Sequence, residues 1–304
     1  MGRRRGSHQR VQPLSAAPIH LRYTVALDYE VFAPGADLVL GIHAAQTARQ
    51  RLCAESLDIT PALHWRVTPG PDHNRRLRLS APPGRLRVRY AATVAIEHHV
   101  AAPASLAEVP VHGLPDSVLP WLLPSRYCES DVLHGLALEQ FGRLPRGHAR
   151  VTAIRDWVNR RVRFRSGSSN ASTTACDTAR SGEGVCRDFA HLMIALCRAV
   201  GIPARFTTGL DYGADPALGP SDFHAYVEAY LGHRWYLFDP SGTALPMGFV
   251  RIATGRDAAD VAFATIYGPV DPAPPVVGIC AVAGEDGELR VPLATAMALS
   301  TDGG

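Results

Sequence analysis

The spacing of apolar residues changes part-way along the chain, and this change limits the folds that the chain can adopt. Between residues 20 and 111, short apolar runs alternate with turn clusters such as the one at 68–71, and the run 85–90 alternates strictly between basic and apolar residues. A period of two is typical of strands with one buried face. Beyond residue 131 the apolar residues recur at helical spacing, as between Val151 and Val162. The sequence therefore predicts an α+β protein, with an antiparallel β-sandwich ahead of a mixed domain.

The size and composition of the chain fit two compact units. Its 304 residues suffice for two domains, and 46% apolar with 19% charged residues is enough to bury a core. A proline-rich passage at 103–124 marks the seam between the units. We predict a disordered basic tail at 1–18, an amino-terminal β domain at 19–115, a mixed domain at 116–270, and a carboxy-terminal β segment and tail at 271–304.

Charge and cysteine content indicate a cytoplasmic protein. The net charge of +3 gives no reason to expect a nucleic acid or a membrane surface as partner. No stretch approaches the roughly 18 apolar residues that a membrane helix needs, and no apolar segment follows the arginine-rich start as it would in a signal peptide. The six cysteines form no CxxC pair, so we expect them to be reduced.

Cys186 differs from the other cysteines in its local sequence. Gly182 and Gly184 precede it and allow a sharp turn, and apolar residues follow it at helical spacing until Gly201 ends the run. The helix is therefore expected to begin at or near Cys186, where its dipole and its unpaired N–H groups favour a thiolate over a thiol. A cysteine is more often a small buried residue, and this is our interpretation of Cys197 on the apolar face of the same helix.

The segments 223–231 and 234–240 predict a β-hairpin. Alternation places His224 on the face opposite the apolar residues of the first strand. A two-residue loop at 232–233 then places Asp239 diagonally across from His224 on the same face. Such neighbours are about 7–8 Å apart at the backbone, close enough for an imidazole–carboxylate hydrogen bond. A three-residue loop would put the two side chains on opposite faces.

Cys186, His224 and Asp239 together have the chemistry of acyl transfer, in which a thiol attacks, a histidine carries the proton and a carboxylate orients the histidine. The order of the surrounding motifs resembles the core of the transglutaminase-like superfamily, in particular its bacterial proteins with an amino-terminal β region. The motifs are Gly184-Val185-Cys186-Arg187-Asp188, Gly201-Ile202-Pro203-Ala204-Arg205, His224-Ala225, Trp235 and Asp239-Pro240, with further similar stretches at 125–131 and 255–257. The resemblance is strong over about residues 120 to 270 and loose over 20 to 110.

The resemblance implies a papain-like fold, in which the helix bearing Cys186 packs on an antiparallel sheet, so that 116–270 is a catalytic core. Cys186, His224 and Asp239 match the catalytic triad of the family. Two positions depart from the family pattern, since Tyr226 stands where many relatives have tryptophan and Ser241 where threonine is frequent. Neither is a triad position. Nothing resembles the acidic calcium loops of animal transglutaminases, so we expect no calcium requirement and no cofactor.

The expected substrate is a peptide or protein amide, which Cys186 would convert to an acyl-thioester. We favour hydrolysis of a peptide or isopeptide bond, by a peptidase or amidase, because transfer to an amine needs a second binding site. Transamidation, as in a protein-glutamine acyltransferase, uses the same triad and stays open. A non-catalytic protein-interaction module also stays open. A metal site is a weaker alternative, because His98-His99 and the group of Cys186, His191 and Cys197 match no zinc spacing.

Overall fold

The computed structural model describes residues 17–213 and 222–303. The basic tail predicted at 1–18 therefore lies almost wholly outside the described residues. Within the described ranges, no helix combines the length and the apolar character needed to cross a membrane. The predicted α+β class is confirmed, with a β domain followed by helices packed on an antiparallel sheet.

The order of helices and strands changes between the two halves of the chain, as the change in apolar spacing predicts. The first half consists of β1 (Ile19–Val31), β2 (Ala36–Leu40), β3 (Gln50–Thr60), β4 (Trp65–Pro69), β5 (Arg75–Ala81), β6 (Gly84–Ile96) and β7 (His99–Ala101). The second half begins with α1 (His134–Phe141), α2 (His148–Arg161), β8 (Arg163–Phe164), α3 (Ala175–Ser181), β9 (Glu183–Gly184) and α4 (Cys186–Ala199). It continues with β10 (Ala204–Asp211), β11 (Phe223–Leu231), β12 (Arg234–Phe238), β13 (Phe249–Gly255), β14 (Ala264–Tyr267), β15 (Val270–Pro272), β16 (Val276–Val282) and β17 (Ala298–Ser300).

Two antiparallel sheets form the β domain. One has the order β15-β1-β6-β3, with β16 also paired to β1, and the other has the order β14-β2-β5-β4. Along β1, the apolar side chains of Leu21, Tyr23, Val25 and Leu27 are buried, and those that follow them in alternation are more exposed. These side chains share one core with the apolar side chains of β2 and β5. The period of two thus gives each sheet one inner face, which is the arrangement of a sandwich.

A four-stranded antiparallel sheet of order β12-β11-β10-β13 carries the mixed domain. The helix α4 packs on β10 and β11 and is covered by α1, α2 and α3, so nearly all of its residues are buried. In the hairpin of β11 and β12, Leu231 pairs with Arg234. The loop residues Gly232 and His233 have φ values of 52° and 64°, as a two-residue type I′ turn requires. The predicted register of this hairpin is confirmed.

The free edge of β13 is covered by two amide side chains of the β domain. Asn74 donates from Nδ2 to the Thr254 carbonyl and accepts from the Thr254 N–H, both at 2.8 Å. Gln50 donates from Nε2 to the Arg251 carbonyl and accepts from the Arg251 N–H, also both at 2.8 Å. Because both amides are buried, they satisfy backbone groups that water cannot reach. These bonds fix the two domains against each other.

The last part of the chain returns to the β domain. β14 pairs with β2, and β15 and β16 pair with β1. β17 pairs with β7 near the seam. β14 belongs by sequence to the predicted range 116–270, although its partner strand lies in the range 19–115. The residue limits of the domains stay predictions.

Candidate active site

Cys186 is the first residue of α4, as the glycine pattern predicts. Asp188 holds the turn before it by accepting a hydrogen bond from the Val185 N–H at 2.8 Å. A side chain at Gly184 would place its Cβ 2.7 Å from the Cβ of Asp188, so the close approach requires glycine at this position. Because the first N–H groups of a helix have no helical acceptor, the Cys186 N–H and its neighbour are available to a negative charge.

The Cys186 side chain is partly exposed, unlike those of the other cysteines near the core. Cys128 and Cys197 are buried, and burial raises the pKa of both thiols to about 12. Burial also raises the pKa of Cys176 to about 11. These three thiols are therefore protonated and sheltered at neutral pH. Of the six cysteines, Cys53 and Cys280 are exposed, Cys186 is partly exposed and the other three are buried.

The structure brings the three predicted residues together. His224 lies on β11, directly opposite Gly209 of β10, and Asp239 follows the end of β12. Nε2 of His224 is 3.5 Å from Oδ1 of Asp239, and the Cys186 thiol lies near enough to the imidazole to raise its pKa. A separation of 3.5 Å is longer than an ordinary N–H···O bond, so the His224–Asp239 contact is mainly one between charges. Catalytic contacts are often this long before substrate binds.

The Asp239 carboxylate is held by the turn that follows it. Its Oδ1 accepts from the Ser241 N–H at 2.9 Å and from Ser241 Oγ at 2.6 Å, and its Oδ2 accepts from the Ala244 N–H at 3.2 Å. Asn159 of α2 fixes this turn by donating to the carbonyls of Pro240 and Ser241. Burial alone would raise the pKa of Asp239, but the charge of His224 and these bonds lower it below the usual value. Asp239 therefore stays ionised.

The imidazole of His224 favours its charged form. Burial alone would lower the pKa of His224, but the charge of Asp239, the contact with Asp239 and the Cys186 thiol together raise it well above the usual value. A charged imidazole beside a sulfur atom at a helix start stabilises the thiolate. The arrangement therefore places a sulfur nucleophile beside a proton donor.

A second carboxyl group contacts His224, and sequence reasoning missed it. Oδ2 of Asp211, at the end of β10, is 3.5 Å from Nδ1 of His224. The pKa of Asp211 is raised above its usual value. Burial and the charge of Asp239 raise it, and the charge of His224 opposes them. The sequence offers no strong signal for this contact, because the long connection from β10 to β11 does not fix the register of the two strands.

A surface loop is attached beside the nucleophile by Arg187. Nη2 of Arg187 donates to Ser169 Oγ at 2.9 Å and to the Asn170 carbonyl at 2.6 Å. Asn170 accepts in turn from the Ser172 N–H at 2.8 Å. The loop between β8 and α3 is thereby held next to the first turn of α4, where it can form one wall of a substrate site.

His191 has a structural environment and lies one and a half turns along α4 from Cys186. Its ring stacks on Tyr127 with centroids 5.1 Å apart, and its Nε2 accepts from the Ala258 N–H at 3.1 Å. Burial and two nearby arginines lower the pKa of His191 well below the usual value, so the ring is neutral. Among the residues that the structure describes, no group of three or more histidine, cysteine, aspartate or glutamate side chains is arranged to hold a metal ion.

One crystal structure is similar to this chain over almost its whole length. It is that of a candidate cysteine protease from Cytophaga hutchinsonii, which is 36% identical in sequence. The similarity covers 93% of this chain and 97% of that chain, with a TM-score of 0.86.

Two family models match successive parts of the chain. The model described as transglutaminase-like superfamily matches residues 136–240, and the model described as bacterial transglutaminase, N-terminal domain, matches residues 19–117. The chain belongs to the transglutaminase-like superfamily. The first match contains Cys186, His224 and Asp239, and the second contains most of the sandwich.

Mycobacterial proteins are also similar to part of this transglutaminase-like chain. An uncharacterized protein of Mycobacterium leprae is 30% identical over 117 residues, which are 37% of this chain and 42% of that protein. An uncharacterized protein of Mycobacterium tuberculosis is 32% identical over 125 residues, which are 36% of this chain and 40% of that protein. The matches span about two fifths of the length of these curated relatives.

Proposed function

We propose that this transglutaminase-like protein is a cysteine hydrolase that cleaves amide bonds of peptides or proteins through an acyl-thioester. The observation that carries the proposal is the position of His224 between two groups. Its Nε2 is 3.5 Å from the Asp239 carboxylate, and the Cys186 thiol at the start of α4 lies near enough to raise the pKa of the ring. In this proposal Cys186 is the nucleophile, His224 the acid and base, and Asp239 the group that orients the ring.

In the acylation step, the Cys186 thiolate forms a bond to the amide carbonyl carbon, and the carbonyl oxygen becomes an oxyanion. The Cys186 backbone N–H at the helix start is placed to donate to that oxygen. The carbon–nitrogen bond then breaks as the His224 imidazolium gives its proton to the leaving amine. The products of this step are a free amine, a thioester on Cys186 and a neutral imidazole.

In the deacylation step, the neutral His224 imidazole takes a proton from water, and the resulting hydroxide attacks the thioester carbonyl. The carbon–sulfur bond breaks, the carboxylic acid leaves, and the thiolate–imidazolium pair is restored. Asp239 stabilises the charged ring at both ends of the cycle, because three hydrogen bonds from the turn at 241–244 keep its own charge in place.

Hydrolysis is favoured over transamidation by one comparison and one physical argument. The similar structure from Cytophaga hutchinsonii is described as a candidate cysteine protease. Water also reaches a thioester without a dedicated site, whereas an amine acceptor needs one. If an amine did replace water, the nucleophile and the proton carrier would stay the same, and only the second product would differ.

The first test is the pH dependence of iodoacetamide alkylation, mapped by mass spectrometry for each cysteine. Cys53 and Cys280 are exposed and serve as internal references for ordinary thiols. We expect Cys186 to react at pH 6 about ten-fold or more faster than either reference, because thiolates and not thiols are alkylated. The His224→Ala variant should remove this advantage. Alkylation of Cys186 at the rate of the reference thiols would contradict a thiolate–imidazolium pair.

The second test identifies the reaction with a panel of peptide and isopeptide amides, with and without a primary amine. The chain contains no lysine, so its own side chains cannot supply the acceptor amine. We expect release of a free carboxylic acid in the absence of added amine, and no release by the Cys186→Ala variant. Products formed only when amine is added would instead identify an acyltransferase. Rapid alkylation of Cys186 without turnover of any amide would favour a binding module.

A further inference from the structure

β11, an inner strand of the four-stranded sheet, has a carboxyl group on each side of its histidine. β11 lies between β10 and β12. Gly209 of β10 faces His224 directly, so Asp211, two residues further on, points to the same side of the sheet and lies diagonally from His224. Asp239 is the corresponding diagonal neighbour after β12. The two carboxyl groups therefore flank one imidazole from opposite sides.

The distances show that each ring nitrogen faces its own carboxyl group. Nε2 is 3.5 Å from Asp239 Oδ1, and Nδ1 is 3.5 Å from Asp211 Oδ2. The three side chains are buried, with relative exposures of 5% for His224 and 6% each for Asp211 and Asp239. Because charge–charge interactions are screened little at such buried positions, an ionised Asp211 must favour the protonated form of the ring. The triad chemistry described above makes no use of it.

We propose that Asp211 is a second positioning residue for His224, which holds the ring as the imidazolium and sets the upper pH limit of the proton donor. This inference rests on the proposed function. In this proposal Nδ1, which faces Asp211 and not Asp239, is the nitrogen that exchanges a proton with Cys186 and with the leaving amine. A carboxylate beside it favours the protonated ring and disfavours the neutral one.

The other groups around His224 do not replace Asp211 in this role. Within the described residues, the charged or titratable side chains that face the ring are Asp211 from β10, Asp239 after β12 and Cys186 from α4. β13 contributes the Phe249 ring, 5.3 Å from the imidazole between centroids. Asp222, just before β11, is exposed, and its charge makes a small contribution to the raised pKa of Asp211. Among residues 17–213 and 222–303, the cation that pairs with Asp211 is His224.

The second carboxylate has opposite effects on the two half-reactions. It favours acylation, because the imidazolium must be present to protonate the leaving amine. It opposes deacylation, because the ring must then be neutral to accept a proton from water. Asp211 therefore extends the pH range of amide attack upward and delays hydrolysis of the thioester. The Asp211→Asn variant should show the reverse of both effects, since the amide keeps the shape of the side chain and removes its charge.

The test is a nuclear magnetic resonance titration of His224 with ¹⁵N-labelled histidine, which needs no substrate. We expect the pKa of His224 in Asp211→Asn to fall by about one to three pH units relative to the wild type, the range found for a charge at this distance. The matched control is Asp222→Asn, which removes a nearby exposed carboxylate and should leave the titration unchanged. On any amide that is turned over, the alkaline limit of kcat/KM should move down with the pKa of His224.

Each outcome separates this inference from the proposed function. An unchanged His224 titration in a folded Asp211→Asn protein would overturn the role of Asp211, whether or not amides are cleaved. A lowered pKa without turnover of any amide would support the role of Asp211 and count against the hydrolase. If Asp211→Asn does not fold, the ¹³C carboxyl signal of Asp211 in the wild type decides instead. It should show a second inflection at the pKa of His224, as coupled groups do, and a single inflection would overturn the inference.

Discussion

A buried cluster of charges lies on the same face of β11 as His224 and supports a quantitative prediction. Glu228 binds Arg205 through two contacts of 2.7 and 2.5 Å to its Oε2. Asp302, near the end of the chain, also forms an ion pair with Arg205 and lies 3.4 Å from Arg251. The side chains of Arg205, Arg251 and Glu228 are no more than 2% exposed. Asp302 therefore ties the carboxy-terminal segment to two guanidinium groups on the His224 face of the four-stranded sheet.

The contribution of Asp302 to stability follows from its pKa. Burial would raise the pKa of its carboxyl, but Arg205 and Arg251 lower it from 3.8 to about 2. Since one pKa unit corresponds to about 1.36 kcal/mol, the ionised carboxylate stabilises the folded state by about 2 kcal/mol at pH 7. A lowered carboxyl pKa gives stability that is present above the unfolded value of 3.8 and is lost as the pH falls through 2. At pH 3 the contribution should therefore be only about 1 kcal/mol.

The variant Asp302→Asn removes this charge with little change in shape. We expect urea denaturation to give a free energy of unfolding about 2 kcal/mol below that of the wild type at pH 7, and a difference of only about 1 kcal/mol at pH 3. The control is Glu285→Gln. Glu285 lies 3.0 Å from Arg51, and the side chains are 80% exposed for Glu285 and 59% exposed for Arg51. This exposed pair is screened by water, so no measurable change is expected.

Two results would refute the reasoning about Asp302. Equal stability of Asp302→Asn and the wild type at pH 7 would mean that the cluster is not stabilised by this charge. An equal difference at both pH values would mean that the loss comes from packing or hydrogen bonding, which do not titrate in this range. In either case the lowered pKa of Asp302 would not be the origin of its effect.

Two further predictions concern residues next to the candidate triad. Gly209→Ala should lower the free energy of unfolding by about 1–3 kcal/mol in urea denaturation, because its Cβ would lie 2.4 Å from the Val250 carbonyl oxygen. The control Gly135→Ala has open space around its Cβ and should not destabilise the protein. Equal effects of the two substitutions would contradict the steric argument. Ser241→Ala removes the 2.6 Å hydrogen bond to Asp239 and should lower kcat/KM by about ten-fold. Ser241→Thr keeps the hydroxyl and should retain activity, so equal losses in both variants would argue against this bond.

The hairpin that carries His224 was predictable because its geometry is local. A loop of two residues fixes the pairing of β11 and β12, and the register then determines that His224 and Asp239 share a face. The start of α4 was predictable for a similar reason, since the glycines before Cys186 and the helical spacing after it lie within one short segment. Local patterns of this kind leave few alternative structures.

Other parts of the structure depend on contacts between distant segments. The strand β3 has no regular alternation of buried and exposed residues, because it is an edge strand with most of its side chains in solvent, and its sequence gave no strand signal. Asp302 meets Arg205 across almost a hundred residues, and the chain between them does not determine that contact. Asp211 reaches His224 only through the pairing of β10 with β11. In each case three-dimensional packing, and not local spacing, decides the neighbour.

The two carboxyl groups beside His224 are equally distant from its ring but differ in their surroundings. Asp239 accepts hydrogen bonds from Ser241 and from the Ala244 N–H, and its pKa lies below the usual value even though it is buried. Asp211 has a raised pKa, because burial and the charge of Asp239 outweigh the attraction of His224. As the pH falls, Asp211 therefore takes up a proton before Asp239 does. The ring then loses one of the two carboxylates that favour its charge and keeps Asp239, which also fixes its orientation, so that Asp211 adjusts the protonation of the imidazole without orienting it.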